Sequence, residues 1–345
     1  MTIQQTTTTN DLERREQLEQ LAKIVAVLDR LGPSTIPELL RHTMRADRQL
    51  IPLLALGIER GQVSRDGDHY RTPQATAPEI GKLAATLFNP HEAFLHSGQG
   101  RALLDRLADV AQGRPSEEHE FQQRHVSLRT SLLRALYLAY RGDVHGKKIV
   151  LLGDDDLTGL ALCLIGGFAQ LVVLEADPQL VAFITDRVAR LGAENVEVRV
   201  YDAHDEVPAD LAGAADTYLC DPTRKLYQVF LERGIALLRP SGVLYSFVNP
   251  SHSHPVGQFI FQRAALDLDW VLTDVVPAFN EYRRQPGSLT PEEEAFYSPE
   301  DDDEAVSFTE SLVRFVKGAG REAEAEMMKW VDSGKPAMFY RPGPA

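Results

Sequence analysis

The sequence predicts an α/β protein in which a winged-helix-like N-terminal domain precedes a doubly wound, Rossmann-like sheet domain. Three observations predict it. From Lys147 onward, strand-length apolar runs alternate with segments of helical period, the pattern of a parallel sheet covered on both faces. The run Ile149-Val150-Leu151-Leu152 meets Gly153 and then a helical pattern, as in the opening βα unit of a nucleotide-binding fold. The first residues read as three helices and a hairpin, the order of a winged helix. The expected divisions are 1–76 for this domain, 77–120 for a helical connector, 121–285 for the sheet domain, and 286–345 for an acidic, partly mobile C-terminal segment.

Each element has its own signal. "DLERREQLEQLAKIVAVLDRLG" has apolar residues at helical spacing and stops at Gly32. "PSTIPELLRHT" and "RADRQLIPLLALGIERG" give two shorter helices, and "QVSRDGDHYRTP" reads as strand, Asp-Gly turn, strand. The third helix carries Arg45 and Arg48 but also Asp47 and Glu59, a poor footprint for phosphates. "TAPEIGKLAATLFNPHEAFLHSGQGRALLDRLADVAQG" is mostly helical, "RPSEEHE" is a polar break, and "FQQRHVSLRTSLLRALYLAYRGD" is a helix leading into the sheet. There follow strand "KIVLLG", helix "LTGLALCLIGGF", strand "LVVLEAD" and helix "PQLVAFITDRVARLG". Strands "VEVRVYDAHD" and "TYLCDP" come next, then helix "LYQVFLERGIALLRPSG" and strand "VLYSFVNP". Helix "GQFIFQRAAL" and strand "VLTDVVPAFNEY" complete the sheet domain.

Composition narrows the function. A formal net charge of −14 over 345 residues opposes nonspecific binding to nucleic acid, which needs positive charge to displace counterions. It suits a cationic small molecule, and it also keeps any protein soluble. No apolar run reaches the roughly 18–20 residues of a membrane span, and the first residues lack a signal-peptide pattern. With Cys163 and Cys220 alone, neither a disulfide framework nor a zinc finger is expected. A cytoplasmic homodimer is the expectation.

Ligands of open α/β sheets sit beyond the carboxyl ends of the strands, and acids gather there. The first turn carries Gly153 and then Asp154, Asp155 and Asp156 where a nucleotide-binding loop usually carries glycines. Glu175 ends the second strand, about twenty residues on, where an acid accepts from ribose hydroxyls; Asp177 closes the same "VLEAD" run. Asp202 ends the third strand, where a carboxylate can take the adenine amino group, and Asp221-Pro222 ends the fourth, facing the reacting centre. The set points to an adenosine-containing cofactor of the S-adenosylmethionine type on a class I methyltransferase-like sheet. Capping acids on a purely structural sheet would look similar one at a time.

The motifs "GDDDLTGLAL" (153–162), "VLEAD" (173–177), "CDP" (220–222) and "PAFNEY" (277–282) resemble those of the branched-chain polyamine synthases, the N4-bis(aminopropyl)spermidine synthases. The likeness runs in outline over nearly the whole chain, and the triple aspartate is its most specific part. The resemblance implies an aminopropyltransferase. It would move the aminopropyl group of decarboxylated S-adenosylmethionine to a secondary amine of a polyamine and release methylthioadenosine.

The chemistry of the residues is consistent with that. Decarboxylated S-adenosylmethionine has a sulfonium and an ammonium but no carboxylate, whereas a loop of aspartates repels the carboxylate of the intact molecule. Displacement at the carbon beside sulfur needs an amine that has lost its proton, and a nearby carboxylate can accept it. Asp156 is expected in that role, with Asp221 assisting and Asp154 or Asp155 anchoring ammonium groups. Extended neighbours alternate sides, so at most two of the three should reach one ligand; the same alternation, with no histidine nearby, disfavours a divalent metal. The three acids at a helix start also suit the helix dipole alone. Asn280, Glu281 and Tyr282 are expected at the pocket rim, Glu281 for an ammonium and Tyr282 for an aromatic face, unless they form an ordinary polar strand end. His252 and His254 read as solvated loop residues.

The match departs from the family pattern at Thr223, where a second proline is usual, and continues with Arg224 and Lys225. Cations there would oppose a polycationic acceptor if they faced inward and would allow an amine bearing an acidic group. Two other readings stay open: a transferase using intact S-adenosylmethionine as methyl or 3-amino-3-carboxypropyl donor, and a winged-helix regulator that senses polyamines. The acidic "PEEEAFYSPEDDDE" (291–304) is expected to draw polyamines toward the site or close over it.

Overall fold

A computed structural model of the chain describes residues 9–43, 45–73, 97–223, 225–248, 263, 265–268, 270–284, 287–296 and 306–318. Helices α1 (Thr9–Leu31), α2 (Ile36–Thr43) and α3 (Asp47–Glu59) precede the hairpin β1 (Ser64–Asp66) and β2 (His69–Arg71). Leu28, Leu39, Leu50, Leu54 and Tyr70 recur at helix and strand spacing and close a core of their own. Leu289 and Val306, from far along the chain, also enter it.

Helix α4 (Gly98–Ala111), a single 3-10 turn (His119–Phe121) and α5 (Leu128–Tyr140) lead into β3 (Lys148–Leu152). Then come α6 (Thr158–Ile165), β4 (Gln170–Glu175), α7 (Pro178–Leu191), β5 (Val196–Val200), β6 (Ala215–Cys220), α8 (Tyr227–Leu237) and β7 (Leu238–Val248). Strand β8 (Trp270–Arg283), the short α9 (Pro291–Glu294) and β9 (Val306–Lys317) follow. The strands form one seven-stranded sheet in the order β5-β4-β3-β6-β7-β9-β8.

Strand alternation divides the core between two faces. Ile149, Leu151, Leu171 and Val173 point toward α4 to α7, against Leu107, Leu132, Leu160 and Ile184. Their neighbours Val150, Leu152, Val172 and Leu174 point the other way, toward Phe230, Leu231 and Leu237 of α8. Burial on both faces explains why these strands read as unbroken apolar runs.

Two expectations fail here. The sheet is mixed, not parallel throughout: β9 runs antiparallel to both β7 and β8 and separates them. The sheet domain therefore does not end at 285, and the segment from 286 on is not merely an acidic tail, because β9 completes the core with Leu312, Val313 and Phe315. Its "SFTESLVRF" is apolar enough for a strand, but polar residues interleave in it because part of one face abuts the site. Second, the helix expected over 121–143 starts only at Leu128, with Ser127 as its cap: the Ser127 hydroxyl accepts from Thr130 N at 3.2 Å. The amides of Arg124 and Val126 find aspartate acceptors instead of helix carbonyls. The helix expected over 257–266 and His252 and His254 lie almost wholly outside the described residues.

Candidate active site

The three aspartates leave β3 together and separate at once. Gly153 has φ +74°, which starts the turn without a side-chain clash. The Asp154 amide donates to Glu175 Oε2 at 2.8 Å, and its carboxylate turns inward to accept from Gly159 N at 3.1 and 2.9 Å. A Cβ at Gly159 would lie 2.6 Å from Asp154 Oδ2, so the glycine is what lets that carboxylate cap α6. Asp154 is buried and anchors the turn, not an ammonium group. Leu157, fully buried at φ +58°, completes a chain reversal that sends its two predecessors to different places. Asp155 faces a cleft, with Oδ2 accepting from Arg124 N at 3.0 Å. Asp156 points beneath it: Oδ1 accepts from Val126 N at 2.8 Å and Oδ2 from Arg134 Nη1 at 2.7 Å.

The cleft, of about 150 Å³, opens beyond the carboxyl ends of β3, β4 and β6 and is lined by Gly153, Asp155, Glu175, Asp202, Asp221 and Phe230, among others. It lies where the chain switches from one side of β3 to the other, the expected ligand position of this topology. Glu175 is buried, and both oxygens accept backbone amides, Asp154 N and Asp177 N at 2.8 and 2.9 Å. Asp177 does not line the cleft; it caps α7 through Gln179 N at 2.8 Å and accepts from Gln123 Nε2 at 3.0 Å. Asp202 stands on the exposed rim, accepting from the His204 amide and ring Nδ1, each at 2.8 Å.

Behind the cleft lies a cation that belongs to the protein. Arg134 is fully buried, with Nη1 on Asp156, Nη2 on Asp221 Oδ2 at 2.5 Å and Nε on Asn280 Oδ1 at 3.1 Å. Its guanidinium carbon sits 4.1 Å from the Phe247 ring centroid, a cation–π contact. Asp221 Oδ2 also accepts from Asn280 Nδ2 at 3.2 Å and from the Tyr282 hydroxyl at 2.8 Å. Three donors thus converge on one oxygen, and Oδ1 is the oxygen left for the cleft. Burial pushes Asp221 up to about 6, against the pull of Arg134. Burial also holds Asp155 well above the usual carboxylate range, with Asp156 adding to the rise.

The expected rim trio is divided by strand alternation. A bulge between Val276 and Asn280, with Ala278 at φ +50°, re-aims the end of β8. Asn280 and Tyr282 then face Asp221, and Glu281 faces the other side, paired with Arg41 of α2 and Arg129 of α5. All three are buried, not rim residues. The Tyr282 ring stacks on Phe308 at 4.3 Å, so that face is not free for an amine. Its hydroxyl also lies 2.9 Å from Glu310 Oε2.

Sequence reasoning missed Arg134, Gln123 and Glu310. A lone cation inside "SLLRALYLAY" was a usable signal, since a buried arginine requires carboxylates. Glu310 carried none while β9 was read as tail, and an amide contact such as that of Arg124 N has no residue signature. Arg224 is not among the described residues; Thr223 lines the cleft and donates to Gln122 Oε1 at 2.6 Å.

Comparison with known proteins bears on this arrangement. Residues 102–330 match the model of the branched-chain polyamine synthase A C-terminal domain. An N(4)-bis(aminopropyl)spermidine synthase of Thermococcus kodakarensis is 33% identical over 184 residues, 52% of each protein. That of Thermus thermophilus is 32% identical over 206 residues, 56% of this chain and 60% of the relative. The chain spans about half the length of the curated relatives it matches. A crystal structure of the branched-chain polyamine synthase from Thermus thermophilus, with N4-aminopropylspermidine and 5'-methylthioadenosine, superposes with a TM-score of 0.64 over 88% of each chain at 23% identity. Fold and sequence match agree, and the chain belongs to the branched-chain polyamine synthase family.

Proposed function

We propose that this chain is an aminopropyltransferase that uses decarboxylated S-adenosylmethionine and a polyamine. The observation that carries the reading is Asp155 beside Asp221 in a cleft at the switch point, two carboxylates aimed at a guest where related folds present backbone donors to an anion. Family membership supports it, as do the ligands in the related Thermus thermophilus structure.

In this reading Glu175 and Asp202 flank the adenosine, Glu175 at the buried end and Asp202 at the rim. Asp155 anchors an ammonium. The polyamine nitrogen attacks the carbon beside the sulfonium; the new C–N bond forms as the C–S bond breaks, its electron pair neutralises sulfur, and methylthioadenosine leaves. The proton on nitrogen passes to Asp221 Oδ1. A base with a pKa near 6 is ionised at neutral pH and still basic enough to take that proton. The role expected of Asp156 moves to Asp221, because both Asp156 oxygens already accept hydrogen bonds. Asp156 instead holds Arg134 in place. The N-terminal helices and hairpin serve as a winged-helix-like packing domain in a cytoplasmic homodimer, with no nucleic acid bound.

Incubation with decarboxylated S-adenosylmethionine and spermidine tests the reading: product mass should rise by one or two aminopropyl units, with matching methylthioadenosine. Tighter binding and turnover of intact S-adenosylmethionine, as methyl or 3-amino-3-carboxypropyl donor, would overturn the reading.

A further inference from the structure

The Tyr282 hydroxyl holds one hydrogen and lies within hydrogen-bond distance of two carboxyl groups, Asp221 Oδ2 at 2.8 Å and Glu310 Oε2 at 2.9 Å. One hydroxyl hydrogen serves one of them. The other contact is a hydrogen bond only if that carboxyl group carries a proton and donates it to the phenol oxygen. Asp221 is the ionised partner, because the same Oδ2 takes Arg134 Nη2 at 2.5 Å and Asn280 Nδ2 at 3.2 Å. Among the described residues the Glu310 carboxyl group has its hydrogen bond with Tyr282.

We propose that Glu310 is a positioning residue for the transfer reaction: as a neutral acid it donates to the Tyr282 oxygen, commits the Tyr282 proton to Asp221 Oδ2, and so keeps Asp221 Oδ1 turned to the cleft as the proton acceptor. This rests on the aminopropyl-transfer reading. The groups that face Glu310 come from every neighbouring element: Asp221 after β6, Tyr282 on β8, Arg134 on α5, Asp156 after β3 and Tyr227 on α8. Burial first, and then the negative charge of Asp221, push Glu310 up to about 8, against the Tyr282 hydrogen bond and the Arg134 charge. Tyr282 itself is held well above its ordinary range by burial and by both carboxylates, so it keeps its proton.

The sign of the pH effect follows. Below about 8 Glu310 is neutral and the Glu310–Tyr282–Asp221 chain has one direction. Above it Glu310 is charged, Tyr282 has two anionic acceptors for one hydrogen, and Asp221 loses its full claim on one of the three donors that orient it. Activity at saturating substrates should therefore fall on the alkaline side, with a midpoint near 8.

The test compares the pH dependence of kcat in the wild-type protein with that of Glu310→Gln and Tyr282→Phe, with folding followed by thermal melting. The glutamine amide donates to the Tyr282 oxygen at every pH, so its alkaline limb should move up by about one pH unit or more. Tyr282→Phe cuts the bridge and should lower kcat by about tenfold or more while removing the same limb. An alkaline limb that stays in place in both variants would overturn the proposal. Infrared difference spectra at pH 6.5 and 9 provide a readout without turnover: the part of the carboxylic-acid C=O band lost at the higher pH should be missing in Glu310→Gln and kept in Asp155→Asn, since Asp155 is also held well above the usual carboxylate range. Its persistence in that variant likewise counts against Glu310. If the wild-type protein transfers no aminopropyl group, the functional reading has failed, and the infrared band still decides the protonation of Glu310.

Discussion

Asp221 lines the cleft with one oxygen taken by Arg134, Asn280 and Tyr282, which makes its replacement a sharp test. Asp221→Asn should lower kcat by about 10²- to 10⁴-fold, with donor affinity changed only a few-fold, as read from steady-state kinetics and direct binding. On the proposed role of Asp221 as proton acceptor, kcat of the wild-type protein should fall as pH drops through about 6, where Asp221 takes up a proton. Arg134 lowers that pKa, so Arg134→Met should shift the acid limb to higher pH as well as weaken the fold. The strand-end position made Asp221 legible in the sequence. Its single available oxygen was not, because that depends on donors 59 to 87 residues distant along the chain.

At the scale of elements, the turn after β3 depends on Asp154 capping α6 through Gly159. Gly159→Ala places a methyl group where the carboxylate lies and should cost about 1–3 kcal/mol, measurable by denaturant unfolding. The glycine in "GDDDLTG" was visible; its purpose was not, because it shapes a contact with a side chain five positions back. Ser127→Ala removes the cap of α5 and should cost about 1 kcal/mol. That helix carries Arg134 to Asp156 and Asp221, and a longer helix over 121–127 would withdraw the amides that hold Asp155 and Asp156. Helical period spoke for α5 but not for its first residue, which a competition between helix carbonyls and aspartates decides.

Across the whole molecule, the N-terminal region is tied to the end of β8 through Arg41 and Glu281 and to the residues after α9 through the Tyr70 hydroxyl, which donates to Phe296 O at 2.8 Å. Arg41→Met removes one guanidinium from a buried carboxylate and should lower stability by about 3 kcal/mol in thermal or denaturant melts. Shortening the chain at Gly287 deletes β9 from between β7 and β8, so the acidic segment is better probed by charge. Replacing Asp301, Asp302 and Asp303 with asparagine should raise the acceptor KM several-fold at low salt and much less at high salt, where surface charge is screened. By itself the sequence determined that strands and helices alternate, that acids stand at the strand ends, and which family's motifs they form, because hydrophobic period and local spacing are written along the chain. Tertiary structure alone decided that β9 completes the sheet, that Arg134 sits among Asp156, Asp221 and Asn280, and that three adjacent aspartates divide into a cap, a cleft wall and an arginine partner. Those outcomes depend on distant groups meeting in a buried, low-dielectric space, where each charge must find a partner and each hydrogen an acceptor.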